Sequence, residues 1–140
     1  MKQFVLFAFL VIAASNVRAN AHLIHLPPVK IITIRVFPDG KLFMDRDTLR
    51  SETLSPVLRQ RLWKSYMGTG KMYDSIHVSF EGEVLMGVRG SVLDAIKDAQ
   101  LKTLTQLCLE KYRKEFANIS VRQQNKLKNQ FPVLFQELNW

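Results

Sequence analysis

The chain has 140 residues, a formal net charge of +8 and a hydrophobic fraction of 47%. This length and composition are typical of one globular domain with a modest core, and they exclude both a disordered chain and an assembly of several large domains. Cys108 is the single cysteine, so an intrachain disulfide is excluded. Because Cys108 lies in the apolar stretch LTQLCLE, we expect it to pack in the core rather than to act as a catalytic thiol.

An apolar run near the start predicts export. Lys2 precedes eleven apolar residues, Phe4–Ala14, and a short stretch containing small residues follows as far as Ala21. A transmembrane helix needs about 20 apolar residues, whereas the core of a signal peptide needs about 7 to 15. We therefore expect residues 1–21 to be a signal peptide or a truncated transmembrane anchor. The protein would then be soluble in the periplasm after cleavage, or anchored in the inner membrane by residues 4–14.

The exported part is basic. Of the 20 basic residues, Lys2 and Arg18 fall within the first 21 positions, which leaves 18 against 12 acidic residues, or +6. Such a charge favours acidic partners, namely lipid headgroups, anionic cell-wall polymers or nucleic acid. Charge alone selects none of them, and nucleic acid is the partner that we expect least. The other interpretation is a surface that is basic without a charged partner.

The first predicted elements form a β-hairpin. Ile31–Phe37 alternates apolar and polar residues as a half-buried strand does. Pro38-Asp39-Gly40 is a turn signal, because proline presets φ and glycine accepts positive φ. Lys41–Met44 is the predicted return strand, and the polar stretch Asp45–Arg50 is a predicted loop.

A helix is predicted over Ser51–Met67. Its apolar residues recur at four-residue spacing and are Leu54, Leu58, Leu62 and Tyr66. Two starts are open. Ser51 could cap the helix, but Ser55 followed by Pro56 is the sharper start signal, since proline suits the first helical position. The sequence Gly68-Thr69-Gly70 ends the helix.

The next elements are a strand and a second helix. Asp74–Phe80 alternates clearly, and a turn at Glu81-Gly82-Glu83 leads to a short extended piece, Val84–Met86. We expect the second helix to begin with Ser91 as its cap and to carry its apolar stripe on Val92, Ile96 and Ala99. Its end is ambiguous. We favour a break near Gln100 and a strand over Thr103–Leu109, because a helix running on toward Phe116 would be apolar around most of its circumference.

The tail is basic and predicted to be helical. Ser120 caps a polar helix that reaches Gln130, and an apolar ending follows Pro132. From Lys111 to the end the chain has six basic and two acidic residues. We expect this tail to bind anionic surfaces weakly.

No catalytic motif is present in the sequence, so we expect neither enzymatic activity nor a cofactor. Metal binding has one weak candidate set. Cleavage after Ala21 would make His22 the new N-terminus, whose amine and imidazole could chelate copper, and His25 or His77 could add a ligand. The alternative is that all three histidines are incidental.

The order of these features resembles the ExbD/TolR proteins of bacterial energy-transducing membrane complexes. The run LFAFLVIAAS resembles the outer half of their transmembrane helix. The positions that match the family's scaffold are Leu26, Pro27, Asp39, Gly40, Val78 and Val84. The leucines of the first helix and the stripe Val92–Ala99 of the second also match, so the resemblance covers about Phe4–Leu109.

The resemblance implies a periplasmic homodimer that works with an inner-membrane channel subunit of ExbB/TolQ type. Three departures accompany it. By register, the family's proton-handling aspartate would fall just before Met1, so we expect this chain alone not to support proton-driven work. Gln100 stands where a glycine usually follows the second helix, and Gln106 stands where the last strand usually has a long apolar residue.

The sequence therefore predicts an α+β domain, residues 22–116, in which a small sheet packs against two amphipathic helices, and a basic helical C-terminal extension, residues 117–140. The predicted function is a non-enzymatic periplasmic module that couples an inner-membrane channel to an envelope partner. Two other classes stay open. One is a secreted basic protein that binds anionic or host partners, and the other is a copper-binding exported protein that uses His22.

Overall fold

A computed structural model describes residues 28–138, and these adopt the predicted α+β fold. His22, His25, Leu26 and Pro27 lie outside the described residues, as do the predicted signal peptide or anchor and its cleavage sites. The elements, in chain order, are β1 (Ile31–Val36), β2 (Leu42–Met44), β3 (Asp47–Leu49), α1 (Ser51–Thr69), β4 (Ser75–Phe80), α2 (Met86–Tyr112) and α3 (Val121–Gln130), with short 3-10 helices at Phe116–Asn118 and Pro132–Phe135.

The four strands form one mixed sheet in the order β3-β2-β1-β4. β1 pairs antiparallel with β2 and parallel with β4, and Val36 lies opposite both Leu42 and Phe80. Residues of β1 alternate strictly between exposed and buried, with Ile32, Ile34 and Val36 in the core. This confirms the strand and the hairpin that the alternation predicted. Helices α1 and α2 pack against the buried face of the sheet, and the other face is exposed.

The predicted loop over Asp45–Arg50 is wrong, because this stretch contains the edge strand β3. Asp45 has a φ of 54°, which turns the chain tightly between β2 and β3. Its side-chain oxygen accepts a hydrogen bond from the backbone N–H of Thr33 at 3.0 Å. The guanidinium of Arg61 forms ion pairs with both Asp45 and Asp47. The contacts of Asp45 and Asp47 with Thr33 and Arg61 therefore hold the turn and the edge strand in place. These contacts join distant residues, so the local sequence does not predict them.

Helix α1 begins at Ser51, which confirms the predicted range from Ser51, and the alternative start at Ser55 and Pro56 is wrong. Arg50 is the N-cap, and its backbone N–H donates to the hydroxyl of Thr53 at 3.3 Å. Pro56 lies inside the helix, where it removes one backbone hydrogen bond without ending the helix. The predicted apolar stripe is confirmed, since its first three leucines are fully buried, and Gly70 ends the helix with a φ of 71°.

Helix α2 is longer than predicted. It runs unbroken from Met86 to Tyr112, so the start at Ser91 and the strand over Thr103–Leu109 are both wrong, and Met86 is helical rather than extended. The physical reason is that two partners cover α2. Its first half packs against the sheet and α1 through residues such as Val92 and Ile96, and its second half also contacts the C-terminal segment. A helix covered on several sides needs apolar residues around most of its circumference.

The C-terminal segment is part of the same core. Helix α3 is capped as predicted, with the Ser120 hydroxyl accepting from the N–H of Gln123 and the Gln123 side chain accepting from the N–H of Ser120. The buried residues of the segment are Ile119, Leu127, Phe131, Val133 and Leu134. A segment with this much buried apolar surface contributes to the stability of the whole domain.

Two glutamines attach this segment. The buried Gln100 donates through Nε2 to the carbonyl oxygens of Val133, at 2.7 Å, and of Gln136, at 3.1 Å. The Gln136 amide accepts from the N–H of Ile76 and donates to its carbonyl oxygen, both at 2.8 Å. Gln136 therefore occupies the outer edge of β4 as a neighbouring strand would, and Gln100 holds it there. Among the helices in residues 28–138, none has the length and apolarity required to cross a membrane.

Candidate functional site

The parallel pairing of β1 and β4 brings two connections together at one end of the sheet. The turn after β1 and the loop Glu81–Leu85 after β4 lie side by side, because Val36 and Phe80 are in register. A Cβ added to Gly82 would lie 3.4 Å from Cγ of Pro38, so the two connections touch. We call this end the tip, defined by residues 37–41 and 81–86.

The turn at the tip is held by its own hydrogen bonds. The N–H of Phe37 donates to the carbonyl of Lys41 at 3.0 Å, and Gly40 adopts a φ of 78° that the predicted turn required. The carboxylate of Asp39 accepts from the backbone N–H of Lys41 at 3.1 Å and from its Nζ at 2.8 Å. These hydrogen bonds to Lys41 hold the pKa of Asp39 below its usual value. Asp39 and Gly40 thus act as turn residues.

Leu85 and Met86 are exposed at the tip. Their exposed fractions are 72% and 70%, and among the large hydrophobic residues of the described chain only Val121 is as exposed as Met86. The loop is fixed on both sides of them, because Val84 is buried and Nε of Arg89 donates to the Val84 carbonyl at 3.1 Å. The guanidinium of Arg89 in turn lies 5.0 Å from the ring centre of Phe80. Two adjacent apolar side chains are therefore held outward by a supported loop.

The rim of the tip is acidic. Glu81 and Glu83 precede the apolar pair and are exposed, and Asp39 lies on the neighbouring turn. The hydroxyl of Ser79 donates to Glu81 at 3.0 Å. An apolar centre with a charged rim is the usual anatomy of a surface that binds another protein. Lys41, which pairs with Asp39, is the one basic residue of the tip, and the excess of carboxylates favours a partner with basic residues around an apolar patch.

The histidine and cysteine candidates are not brought into a reactive site. His77 is exposed on the open face of the sheet, whereas Val78 is half-buried on the helical side. No group of three or more His, Cys, Asp or Glu side chains suited to a metal ion occurs between residues 28 and 138. Cys108 is buried as predicted, and burial raises the pKa of its thiol, which disfavours the reactive thiolate.

Comparison with known proteins adds no assignment. The sequence matches no protein-family model and no curated protein. The tip itself was missed by sequence reasoning, which placed Val84–Met86 in a short extended piece. The sequence did contain one indication of the tip, namely the apolar pair Leu85-Met86 directly after a turn with two glutamates. The exposure of this pair, however, depends on how Val84 and Arg89 fix the loop, which the sequence does not show.

Proposed function

We propose that this protein is a non-enzymatic periplasmic module of an ExbD/TolR-like energy-transducing complex, which couples an inner-membrane channel of ExbB/TolQ type to an envelope partner. The observation that carries the proposal is the position of Leu85 and Met86. They lie at the end of the sheet opposite Lys30, where the chain enters β1 from the N-terminal side.

This polarity suits a coupling role. The apolar run Phe4–Ala14 precedes β1, so an anchor there would place the entry end of the sheet toward the inner membrane. The tip would then point away from that membrane, toward a partner in the envelope. The exposed apolar pair and the acidic rim are the chemistry by which it would dock. None of these features needs a catalytic group.

Complementation of a strain that lacks its ExbD or TolR homologue tests the proposal. One form carries the domain behind its own segment Phe4–Ala14, which has no carboxylate, and the other carries the same domain behind a full transmembrane helix with an aspartate. We expect only the second form to restore energy-dependent uptake or envelope integrity, because an ion pathway needs a titratable group at membrane depth. Rescue by the first form would contradict the need for that carboxylate, and failure of both, with normal folding, would contradict the proposed function.

Substitutions at the tip sharpen the test. In the complementing form, Leu85→Glu or Met86→Glu should abolish rescue, because each puts a charge at the centre of the docking surface. Met67→Glu is the matched control, since Met67 is 61% exposed and lies near the C-terminal end of α1, at the other end of the sheet. Loss of rescue by the Met67 variant alone would place the docking surface elsewhere.

A secreted basic binding protein is the second candidate function. The observation that favours it is a group of exposed cations on α3 and on the connection before it, which are Arg113, Lys114, Arg122 and Lys126. Lys111 and Lys128, by contrast, lie within 6.0 Å of aromatic ring centres and are partly engaged there. The copper hypothesis remains a prediction that rests on His22 and His25.

A further inference from the structure

We propose that the outward face of α2 is a self-association surface, on which a second copy of this chain packs its own α2 antiparallel about a two-fold axis at Thr105. The inference rests on the proposed function for its homodimer, and it names the surface through which the two copies meet. No residue of the tip takes part in it.

The surface is an apolar stripe on the longest helix of the described residues. Leu101, Thr105 and Leu109 follow one another at four-residue spacing on the side of α2 that faces away from the core. Leu101 is 62% exposed and Leu109 is 46% exposed. A shallow groove of about 620 Å³ runs along this stripe, and Arg59 of α1 forms part of its wall. The helix has 27 residues, so at about 1.5 Å per residue it offers a long contact line.

The spacing of the stripe suits antiparallel self-pairing. When Thr105 lies on the two-fold axis, a residue that precedes Thr105 by a given number of positions faces, in the second copy, the residue that follows Thr105 by the same number. Leu101 then packs against Leu109 of the second copy, and the reverse contact forms as well, as an isologous interface requires. Both apolar residues of the stripe thereby become covered.

The charges along the stripe fit the same arrangement. In this register Asp98 lies opposite Tyr112 of the second copy and one residue from its Arg113. Lys102 lies opposite Cys108 of the second copy and two residues from its Glu110, so the two charge pairs are offset by about 1.5 and 3 Å along the helix. All four line the groove that Arg59 of α1 also lines, and a two-fold axis keeps this groove on the same side of both copies. A parallel pairing would instead oppose Lys102 to Lys102 and Arg113 to Arg113, which is repulsive. Charge complementarity therefore selects the antiparallel arrangement.

Two of these charges form no ion pair with any residue between 28 and 138. Asp98 and Lys102 form a pair at 2.8 Å on the same helix. Glu110 and Arg113 take part in none of the salt bridges among residues 28–138. The groove is lined by three cations and two carboxylates, and this near balance gives an anionic membrane or polymer little net attraction to it.

Disulfide trapping of the full chain in cells tests the inference. Thr105→Cys places a thiol on the two-fold axis, so oxidation should convert the chain to a covalent dimer. Val121→Cys is the matched control, since Val121 is 70% exposed on α3, and it should remain monomeric. Cys108 is present in both variants but is fully buried. Equal cross-linking of the two variants would overturn the inference.

Charge reversal within the Thr105→Cys variant tests the register. Lys102→Glu should reduce the cross-linked fraction by about tenfold, because the two-fold axis breaks two pairs at once. Adding Glu110→Lys should restore it, and no restoration would overturn the antiparallel register. The readout requires neither an envelope partner nor complementation. Cross-linking without rescue would therefore refute only the proposed function, and rescue without cross-linking would refute only this surface.

Discussion

The tip and the stripe on α2 are both exposed and apolar, but their charges differ. At the tip, Leu85 and Met86 are adjacent on a loop whose rim contains carboxylates. On α2, Leu101 and Leu109 are eight residues apart on a helix whose neighbouring charges include both signs. A rim with an excess of carboxylates is repelled by its own copy and favours a basic partner, whereas a surface with both signs in the right order complements itself. The comparison assigns different occupants to two patches of similar hydrophobicity.

The largest expected effects lie beneath both surfaces, in the shared core. Leu58→Ala and Ile96→Ala should each lower the free energy of unfolding by about 2 to 5 kcal/mol, since both side chains are fully buried. Leu85→Ala and Leu101→Ala should each change it by less than about 0.5 kcal/mol, because exposed positions pack little. Chemical denaturation measures all four variants. Losses below about 1 kcal/mol at both core positions would contradict the packing of α1 and α2 on the sheet.

The next largest effect on the free energy of unfolding concerns the hydrogen bonds that attach the C-terminal segment to α2. Gln100→Ala should cost about 1 to 3 kcal/mol, because it leaves the carbonyls of Val133 and Gln136 without their donor. In this variant, amide hydrogen exchange should be accelerated more in α3 than in β1, relative to the unmodified protein. Gln106→Ala is the control, since Gln106 accepts a single exposed hydrogen bond from Arg59. Equal losses in the two variants would show that the segment is held by its apolar contacts alone.

Some of this architecture follows from local sequence. The spacing of Leu54, Leu58 and Leu62 predicts the buried face of α1, and the pair Ser120 and Gln123 predicts the start of α3. Both signals depend on contacts within a few residues of one another. The alternation in β1 works in the same way, since one face of a sheet is covered and the other is open.

The rest depends on contacts between distant residues. The stretch Thr103–Leu109 is helical because the C-terminal segment covers a second side of α2, and that packing joins residues more than 25 positions apart. Neither the exposure of Leu85 nor the groove beside Leu101 has a local signature, because each is defined by what the neighbouring elements leave uncovered. Both candidate surfaces were therefore absent from the sequence-based prediction.

Lowering the pH should affect self-association through the stripe on α2 and not through the tip. Hydrogen bonds to Lys102 and Ser55 hold the pKa of Asp98 below its usual 3.8, and Arg59 of α1 acts in the same direction. A lowered folded-state pKa stabilises the protein above about pH 3.8, and this contribution is lost as the pH falls through the folded value. Protonation of Asp98 would also remove its pair with Arg113 of the second copy.

The measurement is the dimer fraction of the unmodified chain by analytical ultracentrifugation as the pH is lowered, because disulfide formation itself slows in acid as the thiolate is lost. The dimer fraction should fall in acid, and Asp98→Asn should already reduce it at neutral pH. Asp39→Asn is the control, because Asp39 also has a lowered pKa but lies at the tip. A reduction by the Asp39 variant as large as that by the Asp98 variant would argue against the assignment of the stripe to self-association.

The smallest expected effect concerns anionic surfaces, which should prefer the basic C-terminal segment to either apolar patch. Deletion of residues 117–140 is a poor test, because it would remove part of the core. The better variant changes Lys114, Arg122 and Lys126 together to glutamine, since all three are exposed. Its binding to anionic vesicles should weaken by a few fold, and salt should remove the difference, because the attraction fades over about 8 Å at physiological ionic strength.

The matched control removes the same charge elsewhere, by changing the exposed residues Lys30, Lys64 and Lys71 to glutamine. A response to net charge alone predicts equal losses in the two triple variants, whereas a localised basic surface predicts a larger loss in the first. Equal losses would contradict the assignment of the C-terminal segment as a binding surface. The tip would then be the main candidate for contact with a partner. A loss confined to the first variant, together with failed complementation, would favour the secreted basic binding protein.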